Sequence, residues 1–398
     1  MKMHLKLLKT NRNFMLISAI QLICYFGAWF SQTGIFTLLI ELKAPVWAIT
    51  ISAAMAFIPG IILATFSGIL IDKFRAKPML VVMILIECIS VLVLIFINSL
   101  SLLWLLLLII FVRMGVSGVH FQVEMSVLPK ILTPSELKIA NEIHSIIWAV
   151  AYTAGMGLSG IYIHFFGVKS AFLFDCGLYL VGFAFLLSTN LPNSINSTTK
   201  SAISMLKDGL RYINQNRVIL HLILLHSFVG LVSYDALIAL LADYHYKGIL
   251  STALLIGFTN ASRAIALMAG PAILSKIVNS KNLHIFYIGQ GVGIIIWACL
   301  QFNFYLGFIG MFFAGFFTST LWSYTYTMLQ QKCDEKFYGR VIAYNDMCYL
   351  AMSAFVSLAI GLLFELGLSL WLITIFMGII FFIGAMYYNF VEKNYNLS

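Results

Sequence analysis

The sequence predicts an all-α membrane protein of twelve transmembrane helices, and three observations predict it. Of its 398 residues 61% are hydrophobic and only 10% charged, too few charges to solvate a globule of this size. Apolar runs of hydrocarbon-spanning length recur twelve times, at about 14–38, 45–71, 79–97, 102–125, 140–163 and 168–188, then at about 218–241, 251–275, 284–300, 304–329, 341–364 and 368–389. Lys and Arg alternate between dense and sparse loops: one side holds only Lys43, Lys169 and Lys247, Arg113 and Arg263 fall inside spans, and the rest of the 24 collect on the other side. The basic side is the cytoplasmic one by the positive-inside rule, which predicts a multi-pass inner-membrane protein with both termini in the cytoplasm.

That distribution also accounts for the net charge of +9 through topology and anionic lipid, so no nucleic-acid partner is expected. Abundant Phe and Gly with only 7 Pro suit membrane helices that pack through small residues. The basic segment Met1 to Arg12 and the run that follows read as a retained signal anchor. Cys24, Cys88, Cys176, Cys299, Cys333 and Cys348 have no CxxC spacing and read as packing residues rather than a disulfide framework or zinc site. No phosphate-binding loop and no clustered nucleophile and base occur, which argues against an enzyme, and no cofactor is expected.

The spans divide into an N-terminal set within residues 1–190 and a C-terminal set within 218–398. Between them, 191–217 begins with a linker-like Pro192-Asn-Ser-Ile-Asn-Ser-Thr-Thr. It continues with Ser204 to Tyr212, where Met205, Leu206, Leu210 and Tyr212 alternate with Lys207, Asp208 and Arg211 as in an amphipathic helix lying on the membrane surface.

The loop after the second span reads Gly68-Ile-Leu-Ile-Asp72-Lys73-Phe-Arg75-Ala-Lys77-Pro78. It resembles the signature G-x-x-x-D-R/K-x-G-R-R/K of the major facilitator superfamily (MFS). Gly68, Asp72, Lys73 and Lys77 match, whereas Arg75 and Ala76 replace the second Gly and the Arg. The resemblance implies two six-helix bundles that expose one central cavity alternately to either side, in a secondary transporter of small molecules. Gly68 permits close helix approach, and Asp72 can cap a facing helix and pair with cations, as a cytoplasmic latch whose expected partner is Gly339-Arg340. The other reading is that the cluster only anchors topology.

In the fourth span, Arg113-Met-Gly115-Val-Ser-Gly118 puts an Arg where an uncompensated charge costs several kcal/mol, so it must meet a cavity or a partner. The superfamily has an Arg followed by glycines at this place, implicated in proton coupling; an Arg bound to carbonyls is the structural alternative. Gly155, Gly157 and Gly160 in the fifth span resemble the exporters' glycine-rich motif, with Met156 in place of its Pro, and equally suit any close helix pair. The segments from Leu128 to Asn141, from Lys207 to Asn216 and from Gly339 to Val341 resemble the macrolide-efflux and enterobactin-exporter branch.

Acids inside apolar runs are costly and therefore functional candidates: Glu87, Asp175, Asp235 and Asp346. Asp235 and Arg263 could pair across the C-terminal half in a protonation-sensitive contact, Asp175 reads as structural, and either role suits Glu87 and Asp346. His120 and Glu124 stand at i,i+4, and His221 and His226 near the start of the seventh span, a pattern open to metal ligation, hydrogen bonding or proton relay. Trp322, Tyr324, Tyr326, Tyr25 and Trp29 suit a cavity lining, an interfacial belt or packing. The expected protein is a monomeric, proton-coupled exporter of a small amphiphile, with Asp235 and Arg113 as leading coupling residues. Export of a divalent metal, import of a small metabolite, a channel and a membrane scaffold are the alternatives.

Overall fold

A computed structural model describes residues 2–192 and 202–395, without the side chains of residues 2, 64–69, 72, 134, 138, 202–205 and 335. Among the described residues, twelve helices or broken helices are long and apolar enough to cross a membrane, as the hydropathy pattern predicts. The linker reading of 193–200 lies outside the described residues.

The helices are α1 (Lys2–Thr10), α2 (Arg12–Glu41), α3 (Val46–Ala54), α4 (Ile58–Lys73), α5 (Ala76–Leu94), α6 (Leu103–Ile131), α7 (Pro134–Phe166) and α8 (Val168–Leu187). After the linker come α9 (Ala202–Gln215), α10 (Arg217–Ser227), α11 (Asp235–Leu240), α12 (Thr252–Leu274), α13 (Leu283–Leu300), α14 (Phe304–Phe316), α15 (Thr318–Lys332), α16 (Tyr338–Glu365) and α17 (Leu370–Tyr395). Their ends follow local chemistry. Asn11 caps α2 by accepting from the Phe14 amide, and Asn303 caps α14 in the same way. Thr133 and Glu136 form a capping box in front of α7, with Pro134 in its first turn. Gly167, at φ 80°, lets the chain reverse between α7 and α8.

The chain divides into two compact units, Met1–Ala44 with Ile62–Lys200, and Pro45–Ile61 with Ser201–Ser398. In the first, α2 packs along α7 and α8, and α5 packs along α6 and α8. In the second, α13 lies between α14 and α17, α12 packs on α14, and α3 packs on α16. Gly361 on α16 accommodates Thr50, because a β-carbon there would overlap the threonine side chain.

The amphipathic α9 packs part of its apolar face on protein, while Leu210 of that face stays exposed. Ile213 is buried, Tyr212 stacks on Phe337 at 4.3 Å, and Gly209 sits against Arg340 and Tyr344. Tyr344 Oη donates to the Leu206 carbonyl, and Asp208 stands 4.0 Å from Arg340.

Three predicted spans are broken. The second is interrupted at Met55–Phe57 and the tenth at Phe317. The seventh runs through a tight turn at Phe228–Val232, α11, and a wide turn at Leu241–His245. At membrane depth such breaks persist only where the freed backbone groups find partners in protein.

Candidate functional site

Each unit carries a buried polar cluster, and each cluster is built from helix periodicity. In the first unit, Arg113, His120 and Glu124 lie at i, i+7 and i+11 and so share one stripe of α6. Asp175 and Tyr179 share a face of α8.

Arg113 Nη2 meets Asp175 Oδ2 at 3.2 Å and donates to the Ala28 carbonyl at 3.3 Å. Ser31 Oγ also donates to Asp175 Oδ2. The carboxylate reaches this point because residue 27 is Gly: a β-carbon there would overlap it. The pair is sealed, with Arg113 1% and Asp175 0% exposed. Each partner makes the other's burial tolerable, since an isolated ion here would cost several kcal/mol.

Deeper along α6, His120 Nδ1 bonds Glu87 Oε2 at 2.8 Å, and its Nε2 stands 3.5 Å from Glu124 Oε1. Tyr25 Oη donates to Glu124 Oε2 at 2.8 Å. Glu87 is therefore tied to α6 rather than isolated.

The second unit's cluster surrounds the break in the seventh span. Arg263 on α12 donates through Nη2 to the Val232 carbonyl at 2.9 Å, a carbonyl that also accepts from the Tyr234 amide at 2.9 Å inside the turn. Its Nη1 lies 3.6 Å from Asp235 Oδ1, and its guanidinium packs over the Tyr234 ring at 5.2 Å. Gln290 on α13 donates to the Ala314 carbonyl at 2.6 Å and to Tyr234 Oη at 3.3 Å, which stitches the interrupted tenth span to the seventh. Gly230 brings the turn against α16, where a β-carbon would stand 2.7 Å from the Tyr349 carbonyl oxygen. Asp235 and Arg263 side chains are 16% and 11% exposed, so this pair is reachable where the Arg113 pair is not.

His226 is buried, bonded to Thr325 at 2.8 Å and surrounded by the rings of Trp322, Tyr326 and Tyr349. Asp346 accepts from its neighbour Asn345 at 3.4 Å. Tyr25 and Trp29 line the α2–α7 side of the first unit, Trp29 edge-on to Tyr152 at 4.6 Å. Among the described residues no three His, Cys, Asp or Glu side chains are placed to hold a metal ion.

The remaining motif residues occupy other places. The side chains of Gly68 and Asp72 lie outside the described residues. Lys77 Nζ donates to the carbonyls of Leu187 and Thr189, capping the end of α8, and Lys73 is exposed near the Phe74 ring. Arg340 packs over Phe337 beside Asp208. Gly160 is buried and Gly157 half-buried on α7, while Gly155 closes on α2, its missing β-carbon only 2.8 Å from the Phe26 carbonyl oxygen and 2.9 Å from Trp29 Cβ. Gly155→Val is expected to cost about 1–3 kcal/mol, because a backbone carbonyl cannot move aside. Gly118→Ala, with open space around it, is the matched control, and thermal unfolding midpoints of the two purified variants check the contrast.

Sequence reasoning missed Gly27, Ser31, Gln290 and the alignment of Arg113 with His120. The spacing of seven and four along α6 was the available signal for the last of these.

A polytopic all-helical membrane protein with charged pairs inside each of two units is the class that this architecture defines. The chain belongs to the Major Facilitator Superfamily, whose family model matches residues 17–356. Among solved structures it is similar to the nucleoside transporter NupG, at 13% identity and TM-score 0.73 over 99% of this chain and 100% of that one. It is also similar to the POT family transporter PepTSo, at 12% identity and TM-score 0.74 over 98% and 99%. A bacterial homologue of the human lysosomal transporter Spinster aligns at 13% identity and TM-score 0.74 over 97% and 98%. Identities this low establish the shared fold alone. No curated protein sequence matches the chain significantly. The chain is thus a secondary transporter rather than an enzyme.

Proposed function

We propose that the protein exports a small amphiphilic molecule across the bacterial inner membrane by alternating access, driven by proton entry, with both termini in the cytoplasm. The observation that carries this reading is the Asp235–Arg263 pair at the break of the seventh span, part-exposed inside an otherwise buried segment. A carboxyl held 3.6 Å from a guanidinium, without a hydrogen bond between them, can take up a proton and release the cation to other acceptors. Orientation rests on the asymmetry of Lys and Arg. The export direction and the macrolide-efflux and enterobactin-exporter branch rest on the resemblance of residues 128–141, 207–216 and 339–341. A cytoplasmic latch of Gly68, Asp72, Lys73 and Lys77 with Arg340 belongs to the same reading.

Import of a small metabolite is the second reading, and the neighbours named for nucleoside and peptide transport state no direction. Proteoliposomes carrying a pH gradient separate the two by the direction of substrate movement. Asp235→Asn is expected to abolish stimulation by the gradient while the variant purifies in normal yield. Undiminished gradient-driven transport in Asp235→Asn would remove Asp235 from the mechanism.

A further inference from the structure

Glu87, His120 and Glu124 form a second titratable site, wholly inside the first unit and separate from Asp235. All three are 1% exposed. With both carboxyls ionised and the imidazole protonated, the site holds one negative charge in excess. Arg113 cannot supply the missing cation, because Asp175 already faces it at 3.2 Å.

The other groups turned toward the site from the packed helices are Cys24 and Tyr25 on α2, His144 on α7 and Tyr179 on α8. None of these is a permanent cation. A site of this composition at membrane depth therefore lacks one positive charge, and a single proton supplies it.

The geometry identifies which group takes the proton. Glu87 and His120 Nδ1 are locked at 2.8 Å. Glu124 is held more loosely, its Oε1 3.5 Å from a buried Nε2 that makes no hydrogen bond. Glu124 Oε2 accepts from Tyr25 Oη, and the Tyr25 ring meets the half-buried His144 edge-on at 6.1 Å. Phe121 flanks the same histidine at 5.3 Å. Tyr25 and His144 thus stand between Glu124 and the more accessible face of α7.

We propose that the Glu87–His120–Glu124 cluster is a one-proton carrier site that acts beside Asp235, with Glu124 the carboxyl that loads and releases its proton during transport. The proposal rests on the proton-coupled reading above. Protonation makes the cluster neutral and weakens the Tyr25–Glu124 bond, since a carboxylate accepts more strongly than a carboxylic acid. Deprotonation restores that bond. The proton therefore sets how firmly α2 is tied to α6, and α2 also carries Ala28 and Ser31 of the Arg113–Asp175 pair.

The test uses the full chain in lipid nanodiscs and reads the carbonyl stretch of protonated carboxyls by infrared difference spectroscopy across pH. Among the titrating bands of the wild type, one is expected to be lost in Glu124→Gln and kept in Asp235→Asn. Tyr25→Phe removes a donor to the ionised form and is expected to displace the midpoint of that band. Glu124→Asp, which keeps a carboxyl, keeps a titrating band at a displaced midpoint and decides the matter should Glu124→Gln fail to fold. Survival of every titrating band in Glu124→Gln, or a midpoint untouched by Tyr25→Phe, overturns the assignment. Suppression of the Glu124 band by sodium at constant pH overturns it as well, in favour of an alkali-cation site.

Transport is measured separately. Glu124→Gln proteoliposomes that still respond fully to a pH gradient overturn the carrier role, whereas a wild type indifferent to the gradient refutes proton-coupled export and leaves the infrared assignment standing.

Discussion

Arg113→Ala is expected to destabilise the protein by about 3–5 kcal/mol, the cost of leaving one member of a buried ion pair without the other. The stranded member is Asp175, 0% exposed and wedged where Gly27 leaves room for it. Ser31 remains as a donor, but a neutral hydroxyl does not offset a full charge. The variant is expected to purify in low yield and lose its thermal midpoint by several degrees. Arg113→Met combined with Asp175→Asn removes both charges at nearly constant volume, so most of the loss should be recovered, as when buried pairs elsewhere are replaced together. The sealed position points to a structural tie, and the double variant is therefore expected to transport. Recovered stability without transport would instead give Arg113 the coupling role that the motif resemblance implies.

The spans were legible in the sequence because hydrocarbon thickness imposes a length that hydropathy registers directly. The breaks were not, because hydropathy is blind to whether a run is one helix or two. Phe228 to Leu241 reads as one predominantly apolar run that Gly230, Ser233 and Asp235 do not end, and what holds its turn is remote: Arg263 donating to the Val232 carbonyl, and Gly230 set against α16. The pairing of Asp235 with Arg263 was legible, since few charges occur at that depth and each needs a partner. The Arg113–Asp175 contact required knowing that α2 runs between α7 and α8 and presents Gly27, which no local pattern encodes. The partners of α9 within the protein were hidden for a related reason. An amphipathic face states that something apolar covers it, not whether lipid or Phe337 and Tyr344 do so.

Arg263→Ala is expected to have the second large effect, because one side chain serves two needs. It satisfies the Val232 carbonyl at the break and stands as counter-ion to Asp235. Losing the first removes one of two donors to that carbonyl, which keeps the Tyr234 amide at 2.9 Å, and costs about 1 kcal/mol, while losing the second leaves Asp235 without its guanidinium. A thermodynamic cycle with Asp235→Asn separates the two, since neutralising Asp235 relieves the charge and leaves the carbonyl without its guanidinium donor. The double variant is expected to recover part of the stability lost in Arg263→Ala and to remain below wild type; full recovery would mean that the carbonyl contact contributes nothing. Arg263→Lys keeps the charge, but a single ammonium cannot reach both acceptors as a forked guanidinium does. That variant is expected to fold and purify normally while transport falls, because the turn and the ion pair would compete for one donor group. Equal transport in Arg263→Lys and wild type would show that the broken seventh span needs only a positive charge at this point.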